Sequence, residues 1–91
     1  MRFEWDENKR KTNLKKHGID FAEVWQVFEN EIATDIDGKS NYGETRYFTL
    51  GLFGGVIVAV SHTENDDTIR LISVRKAEKY EEQIYFDAIR N

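Results

Sequence analysis

The sequence predicts an α+β domain, and three observations predict it. Apolar residues follow helical spacing over 21–28, alternate two by two through the middle of the chain, and return to helical spacing after about residue 76. The expected order is a short N-terminal strand, two helices, an antiparallel meander and a C-terminal helix. With 91 residues, the chain is expected to form a single domain over 1–91.

Arg2-Phe3-Glu4-Trp5 alternates polar and apolar side chains, which suits a short strand with Phe3 and Trp5 on one face. Asp6 is placed to cap a helix running to about Lys16, with Glu7 in its first turn. Lys15, Lys16 and His17 fall in the last turn, where the helix dipole favours cations. Gly18 suits the left-handed position that follows. Leu14 is nearly the only apolar residue here, so this helix is expected at the surface.

Asp20 and Glu23 form a D-x-x-E variant of the capping box, with Ile19 and Val24 in the staple positions. Phe21, Val24, Trp25 and Phe28 then keep i, i+3, i+4, i+7 spacing, a core-facing stripe. After Asn30 the period becomes two. Ile32, Thr34 and Ile36 alternate with Ala33, Asp35 and Asp37, and Gly38-Lys39-Ser40-Asn41 reads as a turn or loop. Residues 45–53 and 56–62 flank Gly54-Gly55, a dipeptide suited to a two-residue hairpin. Glu64-Asn65-Asp66-Asp67 reads as a second polar loop before the β-branched run Thr68–Val74. From about Lys76 the pattern is helical, with Tyr80, Ile84 and Ala88 on one face and Tyr85, Phe86 and Ile89 beside it.

Composition narrows the chemistry. There is no cysteine, which excludes disulfides, a thiolate nucleophile and thiolate zinc sites. The longest apolar run, residues 51–60, is far short of the ~20 residues of a membrane helix, and the charged N-terminus lacks a signal-peptide pattern. A cytoplasmic protein with no membrane partner is expected. The net charge of −4 counts at first against nucleic acid. That average hides a segregation: residues 8–19 hold five Lys or Arg and no acid, whereas 23–37 hold five acids and no base.

The basic run, Lys9 to His17, is either a phosphate-binding face or a solvated helix face whose cations suit the dipole. Arg75-Lys76 sits where the last strand hands over to the terminal helix, a place where cations are mildly unfavourable. Either an anion binds between them, or both project into solvent beside Glu78. Strict alternation groups Arg75 with Ile69, Leu71 and Ser73, and Arg70 with Ile72 and Val74, so the two arginines need not converge. His17 is either a dipole partner or a general acid or base, and His62 reads as a half-exposed strand residue. Trp25, Phe28, Tyr80 and Phe86 are expected in the core, while Trp5, Tyr42 and Tyr47 either join it or stack on a base. Asp35 and Asp37 share a strand face, either exposed or paired on a cation. No calcium loop, phosphate loop, nucleophile elbow or dinucleotide fingerprint is present, so neither a metal nor a cofactor is expected.

Several anchors recur in one order. Phe3-Glu4-Trp5-Asp6-Glu7-Asn8-Lys9 and Asn13-Leu14-x-Lys16-His17-Gly18-Ile19-x-Phe21 open the chain. Gly43-Glu44-x-Arg46, Gly51 and His62-Thr63-Glu64 follow, then Ile69-Arg70-x-Ile72-Ser73-x-Arg75-Lys76-Ala77 with Glu81 and Tyr85. Over about residues 3–85 this resembles the BrnT-type toxins of type II toxin–antitoxin systems. The resemblance implies a RelE-like fold and a metal-independent endoribonuclease that stops translation. It also implies a BrnA-like ribbon-helix-helix antitoxin, with operator DNA reached only through that antitoxin. Carried over where motifs match, it points to Arg75, Lys76, His17 and Arg70 as catalytic. Trp5, Lys16 and Arg46, with Lys15 of the basic run, are implied as RNA-binding. His17, Lys16 and Glu44 are candidates for proton transfer in an unassigned order. One position departs: the family often has arginine after the Thr-Glu pair, and here it is Asn65. The alternative is a non-catalytic protein on the same fold that binds the antitoxin or nucleic acid. The charge segregation suggests a division, with RNA at the basic face and a basic antitoxin at the acidic strand carrying Asp35 and Asp37.

Overall fold

The Gly54-Gly55 hairpin forms as the dipeptide predicts. Both glycines take the left-handed conformation, φ 57° and 84°, as a turn matched to strand twist requires. The computed structural model describes residues 1–37 and 44–90. The expected turn at 38–41, Tyr42 and Gly43 lie outside the described residues. Strand β1 spans Arg2–Trp5 and helix α1 Glu7–His17; a 3₁₀ helix follows over Phe21–Glu29. Then come β2 (Ile32–Ile36), β3 (Arg46–Phe53), β4 (Val56–Asn65), β5 (Thr68–Lys76) and α2 (Lys79–Arg90). The five strands make one sheet in the order β1-β5-β4-β3-β2. β2 to β5 form the antiparallel meander, and β1 joins β5 in parallel, so the sheet is mixed.

α1 keeps its expected caps. The Asp6 carboxylate accepts from the Asn8 and Lys9 amides at 2.8 and 3.1 Å. Gly18, at φ 73°, donates its N–H to Leu14 O at 2.8 Å. The polar run 64–67 shrinks to a tight turn at Asp66, φ 55°, so Glu64 and Asn65 belong to β4. β5 likewise extends to Lys76, and α2 starts three residues later than the sequence pattern suggests.

The second helix differs most. It has three residues per turn rather than 3.6, so its buried stripe is Phe21, Val24 and Val27, and Trp25 is 48% exposed. Its capping box is one-sided. Asp20 accepts from the Ala22 amide at 3.0 Å, while Glu23 takes the Gln26 amide instead of returning to the cap.

The sheet is covered on both faces. On one, Ile19 and the 3₁₀ helix pack on Val58, Val60, Ile69, Leu71 and Val74, with Phe3, Trp5 and Phe28 at the margin. On the other, Ala77 and Tyr85 pack on Leu50, Ile57 and Ala59. The inward residues of α2 are Glu81 and Tyr85, with Ile89 half-buried; Tyr80, Ile84 and Phe86 lie outside. A carboxylate in the inward register hid this i, i+4 stripe from a reading based on apolar spacing. The Tyr85 hydroxyl donates to Glu31 O at 3.0 Å, tying α2 to the start of β2.

The 3₁₀ helix sits so close to β3 that a Cβ on Gly51 would stand 2.5 Å from Val27 Cγ1. Gly51→Ala is therefore expected to lower stability by about 1–3 kcal/mol through overpacking. A urea midpoint equal to wild type would show that the contact yields freely.

Candidate nucleic-acid interface

α1 has almost no apolar side chain facing inward, and its one buried residue is Asn13. It is held by polar clasps. Asn13 Oδ1 accepts the Val74 amide at 3.0 Å, and Asn13 Nδ2 donates to Ile19 O at 3.1 Å. Beyond the end of β1, this side chain takes up a backbone donor on the free edge of β5. Arg10 adds a second clasp, donating through Nε and Nη2 to both oxygens of Asp20 at 2.7 and 3.0 Å. The Arg10 guanidinium holds the Asp20 carboxyl down at about 2. Arg10 thus leaves the free basic run and becomes a link between helices.

Lys9 and Lys16 remain on the side of α1 facing β5. With Asn8, Thr12, His17 and Ser73 they line a groove of about 320 Å³. No carboxylate lines it, and among the described residues none lies within ion-pair distance of Lys9 or Lys16. Lys15 is exposed and outside this lining.

β5 carries the main surprise. Ser61 faces Ser73 but His62 faces Leu71, so Ile72 is an extra residue, a β-bulge. The bulge breaks the alternation expected through β5. Arg70 is in register with Thr63 and Arg75 with Ala59, which puts both arginines on the α2 face of the sheet. Ile69, Leu71 and Val74 remain together under the 3₁₀ helix. On the α2 face, Arg70, Thr63 and Arg46 form one row across three strands, and Ser73, Ser61 and Phe48 form the next. At about 4.8 Å per strand spacing, the Arg46 and Arg70 backbones stand roughly 10 Å apart. α2 covers Ala59 and Leu50 in the row beyond, leaving these two rows accessible.

Arg75 is the most constrained cation of the set. It makes a bidentate pair with Glu81 at 2.8 and 2.9 Å, and its guanidinium lies 5.9 Å from the Phe48 ring centre. Glu81 is buried and also accepts the Glu78 amide at 2.8 Å, closing the first turn of α2. This pairing pushes the Arg75 pKa up and the Glu81 pKa down, despite burial acting against both charges. Of the two readings for Arg75-Lys76, neither holds for the pair: Arg75 meets the protein's own carboxylate, Glu81, and Lys76 does not share it. Arg70 is paired more loosely with Glu4 at 3.0 Å, both side chains exposed, an ion pair worth about 0–1 kcal/mol.

The remaining sequence candidates lie elsewhere. Lys76 is in register with Val58 on the opposite face, where it and His17 line a separate cleft of about 320 Å³ with Phe53 and Gly54. Trp5 packs edge-on against Phe21 at 6.4 Å, on the 3₁₀-helix side and away from the arginines. Glu44 lies just before β3, one residue from the strand that carries Arg46. His62 is not half-exposed but fully buried, its Nε2 2.7 Å from Thr49 Oγ1, which continues to Thr34 Oγ1 at 2.9 Å. Asn65 is in register with Thr68 on the arginine face. Sequence reasoning missed Asn13 as a clasp and Phe48, Ser61 and Ser73 as neighbours of the cations. Asn13 had one visible signal: a short amide in mid-helix where no apolar stripe exists.

Among the described residues, no three His, Asp or Glu side chains cluster as metal ligands, and no helix is long and apolar enough to cross a membrane. The arrangement is an open sheet face with three arginines and three hydroxyls, flanked by a lysine groove. Such a surface can hold a polyanion and stabilise added negative charge on it. The model of one protein family, described as ribonuclease toxin, BrnT, of type II toxin-antitoxin system, matches residues 5–81 of the 91. No curated protein is similar enough to the chain to count as a match.

Proposed function

Because the chain belongs to the BrnT family of ribonuclease toxins of type II toxin–antitoxin systems, we propose that it is a metal-independent endoribonuclease whose site is the open sheet face bearing Arg46, Arg70 and Arg75. The observation that carries this reading is the bulge at Ile72, which turns Arg70 and Arg75 to the face shared with Arg46. Family membership brings an antitoxin partner with it. We take that partner to be a BrnA-like ribbon-helix-helix protein through which the complex reaches operator DNA. The RelE-like description of the fold, the arrest of translation and the cytoplasmic setting belong to the same proposal.

Metal-free cleavage needs the 2′-hydroxyl deprotonated, the charge on the five-coordinate phosphorus stabilised and the leaving 5′-oxygen protonated. Arg75 is suited to the second task, because Glu81 and Phe48 fix it and no reorganisation is needed as charge develops. Arg46 and Arg70 would bind flanking phosphates, with Arg70 exchanging its exposed Glu4 partner for one. Lys9, Lys16 and His17 would continue the track beside Ser73, with Lys15 adding long-range attraction. His17, Lys16 and Glu44 remain the candidates for proton transfer. Lys76 and Trp5, on the other face, would act at a distance or through packing.

Purified protein should cleave RNA in the presence of EDTA. An Arg46→Ala, Arg70→Ala double variant should bind RNA less tightly and flatten the salt dependence by about two phosphate contacts. Arg75→Ala should lower cleavage about 100-fold or more. Full activity in both variants would remove the site from this face. Tight RNA binding without any cleavage would favour the non-catalytic alternative, which the loss of a family arginine at Asn65 on this same face motivates.

A further inference from the structure

The side of α2 away from the lysine groove holds a second surface with the opposite electrostatic character. β2 is an edge strand, and its outer edge pairs with no other strand among the described residues. Between β2 and α2 runs an apolar groove of about 270 Å³, floored by Ala33, Phe48 and Leu50 and walled by Ile84 and Ala88. It runs on into a cleft of about 360 Å³ that shares Asp35, Phe48 and Ile84 and adds Asp37, Tyr80, Arg75 and Glu81. Three carboxylates face a single guanidinium there, and that guanidinium is already paired with Glu81. The rim therefore carries surplus negative charge and disfavours a phosphate. Ile84 and Tyr80 are 52% and 62% exposed, large apolar surfaces that the described residues do not cover.

We propose that this groove is where the antitoxin docks, through a basic segment with one apolar face. The proposal rests on the toxin reading above. The apolar floor would take the hydrophobic side of the segment, and Asp35 and Asp37 would pair with its Lys or Arg residues. The far end of the groove is lined by Phe48 and Arg75, so a segment filling it covers the cation proposed to stabilise the transition state. Neutralisation is then steric occlusion of one end of the site. The basic α1 surface stays free in the complex. Continuity with Arg75, joined to charge complementarity, selects this occupant over RNA, which the acidic rim repels.

The test uses the toxin co-expressed with the antitoxin encoded beside it, and a triple variant Asp35→Lys, Asp37→Lys, Ile84→Glu. All three side chains are exposed, so the variant should keep its circular dichroism spectrum and melting temperature. The expected result is antitoxin affinity weakened by about 100-fold or more, with RNA cleavage by the free toxin unchanged. The single Ile84→Ser variant, which removes apolar surface without adding charge, separates the two contributions and should weaken binding at high salt as well as low. Unchanged antitoxin affinity would overturn the proposal while leaving the ribonuclease reading intact. So would a purified wild-type toxin that self-associates through this groove, with the triple variant monomeric. Absence of cleavage by wild type, with antitoxin binding still lost in the variant, would instead sink the ribonuclease reading and keep the docking site.

Discussion

Asn13→Ala should cost about 2–4 kcal/mol of stability, more than most single substitutions at a polar residue, because it strands two buried backbone groups at once. The Val74 amide loses its acceptor on the β5 edge, and Ile19 O loses its donor where the chain turns into the 3₁₀ helix. α1 has no apolar face to fall back on, since Leu14 is exposed. The helix should therefore loosen while the sheet persists. Urea denaturation measures the first effect, and amide exchange within α1 the second. Asn13→Asp keeps the acceptor for Val74 but sets a buried carboxylate oxygen against Ile19 O, so at neutral pH it should be no more stable than Asn13→Ala. RNA affinity should drop in parallel, as Lys9 and Lys16 lose their fixed distance from Ser73. An Asn13→Ala protein within about 0.5 kcal/mol of wild type would mean that the clasp is dispensable.

His62 gives the second large effect, and it appears only in acid. Burial among Tyr47, Phe28 and Thr49 pushes its pKa from 6.5 down to about 4. Between those two values the unfolded chain takes up a proton that the folded chain refuses. Stability must therefore fall as pH falls through this window, by up to about 3 kcal/mol in all. Below pH 4 the folded form protonates too and this contribution levels off. Asp20, held at about 2, makes its own loss only at still lower pH, so the two do not overlap. A His62→Gln variant will be less stable at pH 7 but should show a flatter pH dependence between 6.5 and 4. Parallel curves for the two proteins would assign the acid sensitivity elsewhere.

Local signals in the sequence anticipated the structure where chemistry is local. Asp6, Gly18 and Gly54-Gly55 each specify a cap or turn through their own backbone demands, and each is where it was expected. The strands of the meander follow from two-residue alternation, with ends displaced by two or three residues. What alternation could not show is a residue that breaks it. Ile72 is a β-branched apolar residue like its neighbours, and nothing in its chemistry marks it as a bulge. Trp25 was misplaced for a related reason: a stripe at i, i+3 fits both helix types, and only packing against β3 at Gly51 selects the tighter one. Of the candidate site, Arg46, Arg70, Arg75, Lys16 and His17 were visible as residues. Their grouping was not, because it depends on strand register, and register is a long-range property. Lys76 and Trp5 were assigned to the same site by proximity in sequence or by motif, and the sheet separates them from it.

The bulge has an arithmetical consequence for how such a surface can change over time. Inside a strand, what faces which side is a matter of odd and even, and Ile72 shifts the count once. Removing that residue would restore strict parity along the remainder of β5. Leu71, Ser73, Val74 and Arg75 would keep the faces they hold now, whereas regular pairing at the present length would turn Arg75 beneath the 3₁₀ helix and Val74 toward α2. No gradual path leads between the bulged and the regular pairing, since a strand cannot slip by half a residue. The segment from Arg70 to Arg75 should consequently tolerate the loss of one residue, because the bulge is given up and both arginines stay on one face.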